Sequence, residues 1–185
     1  RIAALRGAGL PEGPLRLLDV GCGLGHFLSE LGAALGAERV EAIGVELGAP
    51  AADAAEARLI AALGAAQGSR VRREEFDAVD LAPGSVDVLT MNHLLEHVPT
   101  PRATLERAAS LLRSGGLLEV EVPRGDGWGP RLLGRWWWPH LPPQHLHLFS
   151  RAGLERVLRE LGLEVVTTQI AGYPLTVTAG GVAMV

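Results

Sequence analysis

Leu17-Leu18-Asp19-Val20-Gly21-Cys22-Gly23-Leu24-Gly25-His26-Phe27 is the stretch that decides the reading of this chain. An apolar run without polar alternation, Leu15–Val20, has the character of a strand buried on both faces. It runs into glycines at every second position, and a segment of helical period, Gly25–Leu35, follows. Glycine at such a turn lets the backbone bend sharply and lets a ligand lie against it, next to the positive end of the coming helix. A dinucleotide fingerprint reads G-x-G-x-x-G. Gly21 and Gly23 fit it, but the third glycine is Gly25 and the next position is His26, a spacing less suited to a pyrophosphate.

Outward from this stretch, short Val/Ile/Leu-rich runs alternate with helical ones. Candidate strands are Leu15–Val20, Val40–Glu46, Arg70–Glu74, Val86–Met91 and Leu117–Val122, with helices expected at Gly25–Leu35, Ala51–Leu63 and Arg102–Leu112. Pro50 and Pro101 stand where a first helical turn accepts proline, and Thr100 is positioned as an N-cap. Gly64 and Gly115-Gly116 read as helix stops. Strand–helix alternation implies a doubly wound α/β domain with a parallel sheet covered on both faces. After Val122 the pattern breaks. Pro123 to Phe149 holds all four tryptophans, three histidines and five of the twelve prolines, and is expected to pack over the sheet edge as a cap. A helix resumes at Arg151–Leu161 behind Ser150, and Leu163–Ile170 and Leu175–Val182 read as two final strands joined around Gly172-Tyr173-Pro174. The stretch Val165–Val185 carries no charge, but its threonines, glycines and Pro174 favour buried strands over a membrane span.

Composition excludes several chemistries. All 17 positive charges among the 185 residues are arginine, so there is no lysine for a Schiff base, a pyridoxal phosphate anchor or a Walker A loop. A net charge of −4 argues against nucleic acid as a partner. The single cysteine suits a reducing, cytoplasmic compartment and leaves no cysteine-based zinc site.

The glycine loop resembles motif I of the class I S-adenosylmethionine-dependent methyltransferases, whose E/D-x-G-x-G-x-G turn holds the methionine part of the cofactor. Further motifs follow in the same order. Ala42-Ile43-Gly44-Val45-Glu46 is a second strand ending in an acid, and a carboxylate there can accept both ribose hydroxyls. Glu75-Phe76 stands where the family places an acid for the adenine amino group and a flat neighbour. Pro83 to Leu89 resembles the fourth strand and Leu94-Leu95-Glu96-His97-Val98 its loop. Leu111 to Leu118 resembles the turn into strand five, and Trp136 to Ser150 resembles the small-molecule group placed with the ubiquinone-biosynthesis enzymes. The resemblance, spanning Leu15 to Gly172, implies a Rossmann-like, mostly parallel seven-stranded sheet with helices on both faces and a C-terminal antiparallel strand. It implies one domain over 1–185, in which 1–14 is the remnant of an N-terminal lid and 124–149 is the substrate cap. It implies S-adenosylmethionine as cofactor, held by Asp19, Gly21, Cys22, Gly23, Gly25, Glu46, Leu47, Glu75, Phe76, Asn92 and Leu95. The partner is then a small-molecule methyl acceptor, with no stable membrane insertion and room for a homodimer. The chain departs from the family in having Val86 where an aromatic precedes the strand-four Asp.

Methyl transfer to a hydroxyl or a protonated amine needs a base, and His145 and His147 in the cap are the candidates. With His140 they could equally form a metal cluster or simply tie the cap to the sheet. The tryptophans could wall a substrate or anchor the cap, and Arg124, Arg131 and Arg135 could hold an anionic group or remain solvated. His93-Leu94-Leu95-Glu96-His97 matches an inverted zinc-protease spacing. That motif needs a continuous helix, and a segment between a strand and Pro99 reads instead as a loop lining the cofactor pocket, so no metal is expected. The competing readings are a nicotinamide-dependent oxidoreductase and a non-catalytic, methyltransferase-like binding subunit.

Overall fold

The computed structural model describes residues 5, 10–64, 68–137, 143–170 and 174–181. The strands are β1 (Leu15–Val20), β2 (Val40–Val45), β3 (Arg70–Arg72), β4 (Val86–Asn92), β5 (Leu112–Pro123), β6 (Leu163–Ile170) and β7 (Pro174–Gly181). The helices are α1 (His26–Leu35), α2 (Ala49–Leu63), α3 (Pro101–Leu111), α4 (Trp128–Leu133) and α5 (Arg151–Glu160). The sheet order is β3-β2-β1-β4-β5-β7-β6. β1 runs parallel to both β2 and β4, and β7 is antiparallel to β5 and to β6. The strand order reverses between β1 and β4, which is where an open α/β sheet forms its ligand crevice.

Because β1, β2 and β4 are buried along nearly their whole length, their side chains feed two cores, one on each face. Leu18, Ile43, Leu89 and Leu118 pack with Leu105 and Leu111 of α3 and Leu154 and Leu158 of α5. Leu17, Ala42, Val88 and Leu117 pack on the other face with Leu28 and Leu31 of α1, Leu59 and Leu63 of α2, and the fully buried Leu5. Ser150 caps α5 as expected, its Oγ accepting from Gly153 N at 3.1 Å. No helix among the described residues is long and apolar enough to cross a membrane. The uncharged stretch folds as β6 and β7 through Gly181; Val182, the Gly172-Tyr173 turn and most of Arg1–Leu10 lie outside the described residues.

Several boundaries differ from the sequence reading. α3 stops at Leu111, and Gly115-Gly116 lies inside β5 instead of ending the helix. Between the pairs Val86↔Leu112 and Val88↔Leu117 the ladder shifts register. The glycines let that irregularity close, since a Cβ on Gly116 would lie 3.1 Å from Val86 O and 3.2 Å from Asp87 O. Asp87 pairs with Arg113 across it and accepts from Arg16 N, which fixes this acid at the end of the sheet away from the glycine loop. Thr100 occupies the N-cap of α3, but its side chain makes no capping bond; its carbonyl accepts from Thr104 N instead. α2 starts at Ala49, with Gly48 at its cap, and β3 ends at Arg72, short of Glu74. The cap holds α4 and a 3-10 turn, Gly134–Trp136, that no periodicity announced.

Candidate functional site

The three loop glycines all take positive φ, at 73°, 53° and 74° for Gly21, Gly23 and Gly25, a region costly for any L side chain. Their surroundings differ. A Cβ on Gly21 would meet Leu94 at 3.0 Å, one on Gly25 would press on the Ala55 backbone at 2.9 Å, and one on Gly23 would point into open space. Gly21 is thus shaped by the loop after β4 and Gly25 by the approach of α2, while Gly23 faces the free side. The turn is pinned by Gly21 N and Cys22 N, which both donate to Val45 O at 2.8 and 3.1 Å.

Glu46 does more than end a strand. Its Oε2 accepts from Gly23 N at 3.0 Å and its Oε1 from Gly48 N at 2.8 Å, so one carboxylate joins the glycine loop to the start of α2. Beneath them, the buried Asp19 accepts from Thr90 Oγ1 at 2.7 Å, tying β1 to β4. Cys22 sits in this acidic surrounding: burial, then the Asp19 and Glu46 carboxylates, push its thiol up to about 12, so it stays protonated and unreactive.

A cavity of about 380 Å³ opens over the ends of β1 and β2. Gly21, Glu46, Leu47, Glu75 and Phe76 line it, together with Leu94, His97, Val98, the α3 cap residue Thr100 and Thr104 of α3. Asp19, Cys22, Gly23, Gly25, Asn92 and Leu95 are outside that lining; Leu95 is fully buried beside Leu94, the residue that faces the cavity. Thr100 and Thr104 were missed because they belong to a helix start, where Pro101 drew attention to capping alone.

The loop after β4 carries the densest polar chemistry. Its first residue, His93, adopts φ 52° and bonds Glu121 Oε1 through Nε2 at 3.0 Å and Glu96 Oε1 through Nδ1 at 3.2 Å. Those two carboxylates, Glu121 foremost, raise its pKa to about 9, so at neutral pH it is an imidazolium. Glu96 is fully buried, and its Oε2 has no hydrogen-bond partner among the described residues. The cap is fastened to this loop through the backbone: Glu96 O accepts from Leu146 N at 2.7 Å, and His97 Nδ1 donates to Gln144 O at 2.9 Å. Residues 95–97 form a turn with no helix, so the inverted zinc-protease pairing of His93 with His97 does not form. Instead Glu96, His97 and His145 bring ligand-type atoms within 4.8 Å of one another, with the His97 and His145 rings edge to face at 4.7 Å.

His145 and His147 both point inward, half-buried, while Leu146 and Leu148 between them are exposed, the alternation of an extended segment. The Nε2 of His147 is buried without a hydrogen-bond partner among the described residues. His140 and Trp138 lie outside the described residues, as does the Arg135 side chain. A second cavity, about 470 Å³, lies at the same end of the sheet, past β5, lined by Arg124, Trp128, Pro130, Leu132, Leu133, Trp137 and Ile170. Trp137 is buried as its floor and Trp136 is exposed, so the tryptophan run divides between anchor and surface. Arg124 is paired with Asp126 at 2.6 Å.

A family model described as a methyltransferase domain matches residues 2–168. The chain is 31% identical over 170 residues to a ubiquinone biosynthesis O-methyltransferase of Burkholderia pseudomallei, covering 86% of this chain and 69% of that protein. It is 39% identical over 110 residues to an enzyme of the same name from Cupriavidus pinatubonensis, but that match spans only 41% of the relative's length. Among solved structures, the magnesium protoporphyrin IX methyltransferase of Synechocystis with bound SAH superposes with a TM-score of 0.76 at 19% identity, covering 97% of this chain and 80% of that one. A SAM-dependent methyltransferase from Aquifex aeolicus gives 0.72 at 19% identity, covering 97% and 88%. At such identity the likeness to these two is one of fold.

Proposed function

The chain belongs to the class I S-adenosylmethionine-dependent methyltransferases, and on that premise we propose that it moves the sulfonium methyl of S-adenosylmethionine onto a small-molecule acceptor. The observation that carries the proposal is Glu46, a cavity-lining carboxylate held in place by the amides of Gly23 and Gly48. A carboxylate so oriented can accept ribose hydroxyls while the loop Gly21-Cys22-Gly23-Leu24-Gly25, braced from below by Asp19, takes the methionine end. Leu47, Glu75 and Phe76 then bound the adenine, and Asn92 with the turn around Leu95 flanks the sulfur.

The methyl is already activated by the sulfonium, so these residues chiefly align the two reactants and exclude water. The S–CH3 bond breaks as the bond to the acceptor forms, leaving a neutral thioether. A hydroxyl or ammonium acceptor must also give up a proton, and His145 or His147 is the group to receive it. The second cavity suits the acceptor, because it lies at the same end of the sheet with the loop 93–97 between it and the donor. The lone, half-buried thiol suits a reducing, cytoplasmic setting.

Calorimetry with S-adenosylmethionine and with NAD tests the cofactor, and Glu46→Gln should weaken the former at least tenfold. Binding of NAD alone would overturn the reading in favour of an oxidoreductase. Replacing His145 and His147 together by Ala should depress turnover while cofactor affinity holds; undiminished turnover removes both from the mechanism. Cofactor binding with no transfer to any of a panel of hydroxyl, amine and carbon acceptors would point to a binding subunit instead.

A further inference from the structure

The adenine end of the cavity is closed by a contact between α3 and the turn after β3. Phe76 starts a short 3-10 turn, Phe76–Ala78, and lines the cavity between Glu75 and Asp77. That turn is held by little backbone bonding of its own: Ala78 N donates to Glu75 O at 2.9 Å and Val79 N to Phe76 O at 3.3 Å. Besides the burial of Val79 in the core and the bond from Leu81 N to Val79 O, it is held by Arg107, on the second turn of α3 and three residues beyond the cavity-lining Thr104. Its Nη2 donates to Val79 O at 2.6 Å, and its guanidinium carbon lies 5.9 Å over the Phe76 ring centroid. No carboxylate pairs with Arg107 among the ion pairs of the described residues, and its Nε is buried without a hydrogen-bond partner. A half-buried arginine divided between a carbonyl and an aromatic face is an unusual use of a charge, since it leaves the guanidinium partly desolvated with only the ring and one carbonyl to compensate.

We propose that Arg107 is a positioning residue for base recognition: by holding the Phe76 ring from one side and the Val79 carbonyl from the other, it keeps the flat wall and the neighbouring acids in register for an adenine. The inference rests on the cofactor reading above. A base stacked on a fixed Phe76 presents its edge to Glu75 and Asp77, whose carboxylates accept from an exocyclic amine and repel a carbonyl oxygen. Released from Arg107, the ring and the acids move independently, and discrimination between the two falls. The reacting sulfur lies at the other end of the cofactor, so chemistry at saturation is unaffected.

The test measures the dissociation constants of S-adenosylmethionine and of its deaminated analogue S-inosylmethionine, which has a carbonyl in place of the amine. Both are titrated into the wild type, Arg107→Gln, Arg107→Lys, Phe76→Leu and the double variant Arg107→Gln/Phe76→Leu. Arg107→Gln should weaken S-adenosylmethionine about tenfold, raise its KM by the same factor at unchanged kcat, and shrink the preference over the inosyl analogue several-fold. Arg107→Lys, which keeps a cation over the ring without the fork to Val79, should recover part of the loss. In the Phe76→Leu background, Arg107→Gln should add no more than twofold. Equal weakening of both ligands, or a lowered melting temperature with both affinities unchanged, would mean that Arg107 only braces the fold, and the proposal falls. A wild type that binds neither ligand defeats the cofactor reading itself and this proposal with it, an outcome distinct from a variant that behaves like the wild type.

Discussion

Replacing Gly25 by Ala, and separately Gly23 by Ala, should damage two different properties of the protein. Both glycines take left-handed backbone, φ 74° and 53°, and an L side chain there costs about 1–2 kcal/mol. They differ in what a methyl group meets. At Gly25 it lies 2.9 Å from both Cα and Cβ of Ala55, and a backbone atom in the middle of α2 cannot turn aside as a side chain can. Overpacking of this kind adds about 1–3 kcal/mol, for a total of about 2–5 kcal/mol against a domain stability of about 5–15 kcal/mol. At about 2–4 °C per kcal/mol for a chain of this size, Gly25→Ala should lower the melting temperature by about 4–20 °C. At Gly23 nothing among the described residues lies within 4 Å, so only the backbone strain remains and the drop should stay at about 2–8 °C, the low end of the Gly25 range. That methyl would instead stand on the free side of the loop, next to the amide bonded by Glu46, where the ligand is to lie. Differential scanning calorimetry with cofactor titration separates the two: Gly25→Ala mainly loses stability, and Gly23→Ala mainly loses affinity. Equal melting temperatures for the two variants, or unaltered cofactor affinity in Gly23→Ala, would refute the assignment of one glycine to helix packing and the other to the ligand.

The remaining expectations are simpler. His93 gains two carboxylate partners on folding, so its stabilising contribution is complete below its ordinary pKa of 6.5 and is lost as pH rises through about 9. Its side chain is 42% exposed, and after allowing for solvent screening the loss is about 1 kcal/mol. Urea midpoints at pH 6 and pH 10 should therefore converge in His93→Gln relative to the wild type; an undiminished difference would clear His93 of that role. Ser150→Ala removes the one bond to Gly153 N that starts α5 and should cost about 1 kcal/mol, read as a melting temperature lower by about 2–4 °C. Cys22, with its thiol pushed up to about 12, should resist iodoacetamide at pH 8 in the folded protein and react once urea unfolds it; rapid labelling in the native state would contradict the half-buried, acid-flanked geometry.

The parallel strands were legible because a strand buried on both faces must be mostly apolar, and in Leu15–Val20, Val40–Val45 and Val86–Met91 the polar residues are few and do not alternate with the apolar ones. The start of β5 was not legible, because Gly115-Gly116 looks like a helix stop in isolation. The reason for those glycines is the nearness of Val86 O and Asp87 O on another strand. α4 has only six residues, too few for a helical period to show, and Gly134 at φ 48° closes it. In the site, the acids at the ends of β1 and β2 could be read from position alone. The bonds from Gly23 N and Gly48 N to Glu46 could not, since they depend on how two loops meet. The meeting of Glu96 and His97 with His145 is equally non-local, created when the cap returns and Leu146 N binds the Glu96 carbonyl.

The absence of lysine gains meaning from that end of the sheet. Asp19, Glu46, Glu96 and Glu121 gather around the ends of β1, β2, β4 and β5, and the cation held among them is the imidazolium of His93, shared by Glu121 and Glu96. One imidazolium against these carboxylates leaves the neighbourhood acidic. An acidic neighbourhood of low dielectric favours a bound cation, and the proposed donor carries a sulfonium that transfer of the methyl converts to a neutral thioether. On the proposed reading these acids favour the donor over the product, because the attraction ends when the charge leaves with the methyl. The affinity ratio of S-adenosylmethionine to S-adenosylhomocysteine should then rise in His93→Gln at low salt, because the acids lose the imidazolium that offsets them. A ratio unmoved by that substitution would show that the charge of the β4 loop plays no part in sorting donor from product.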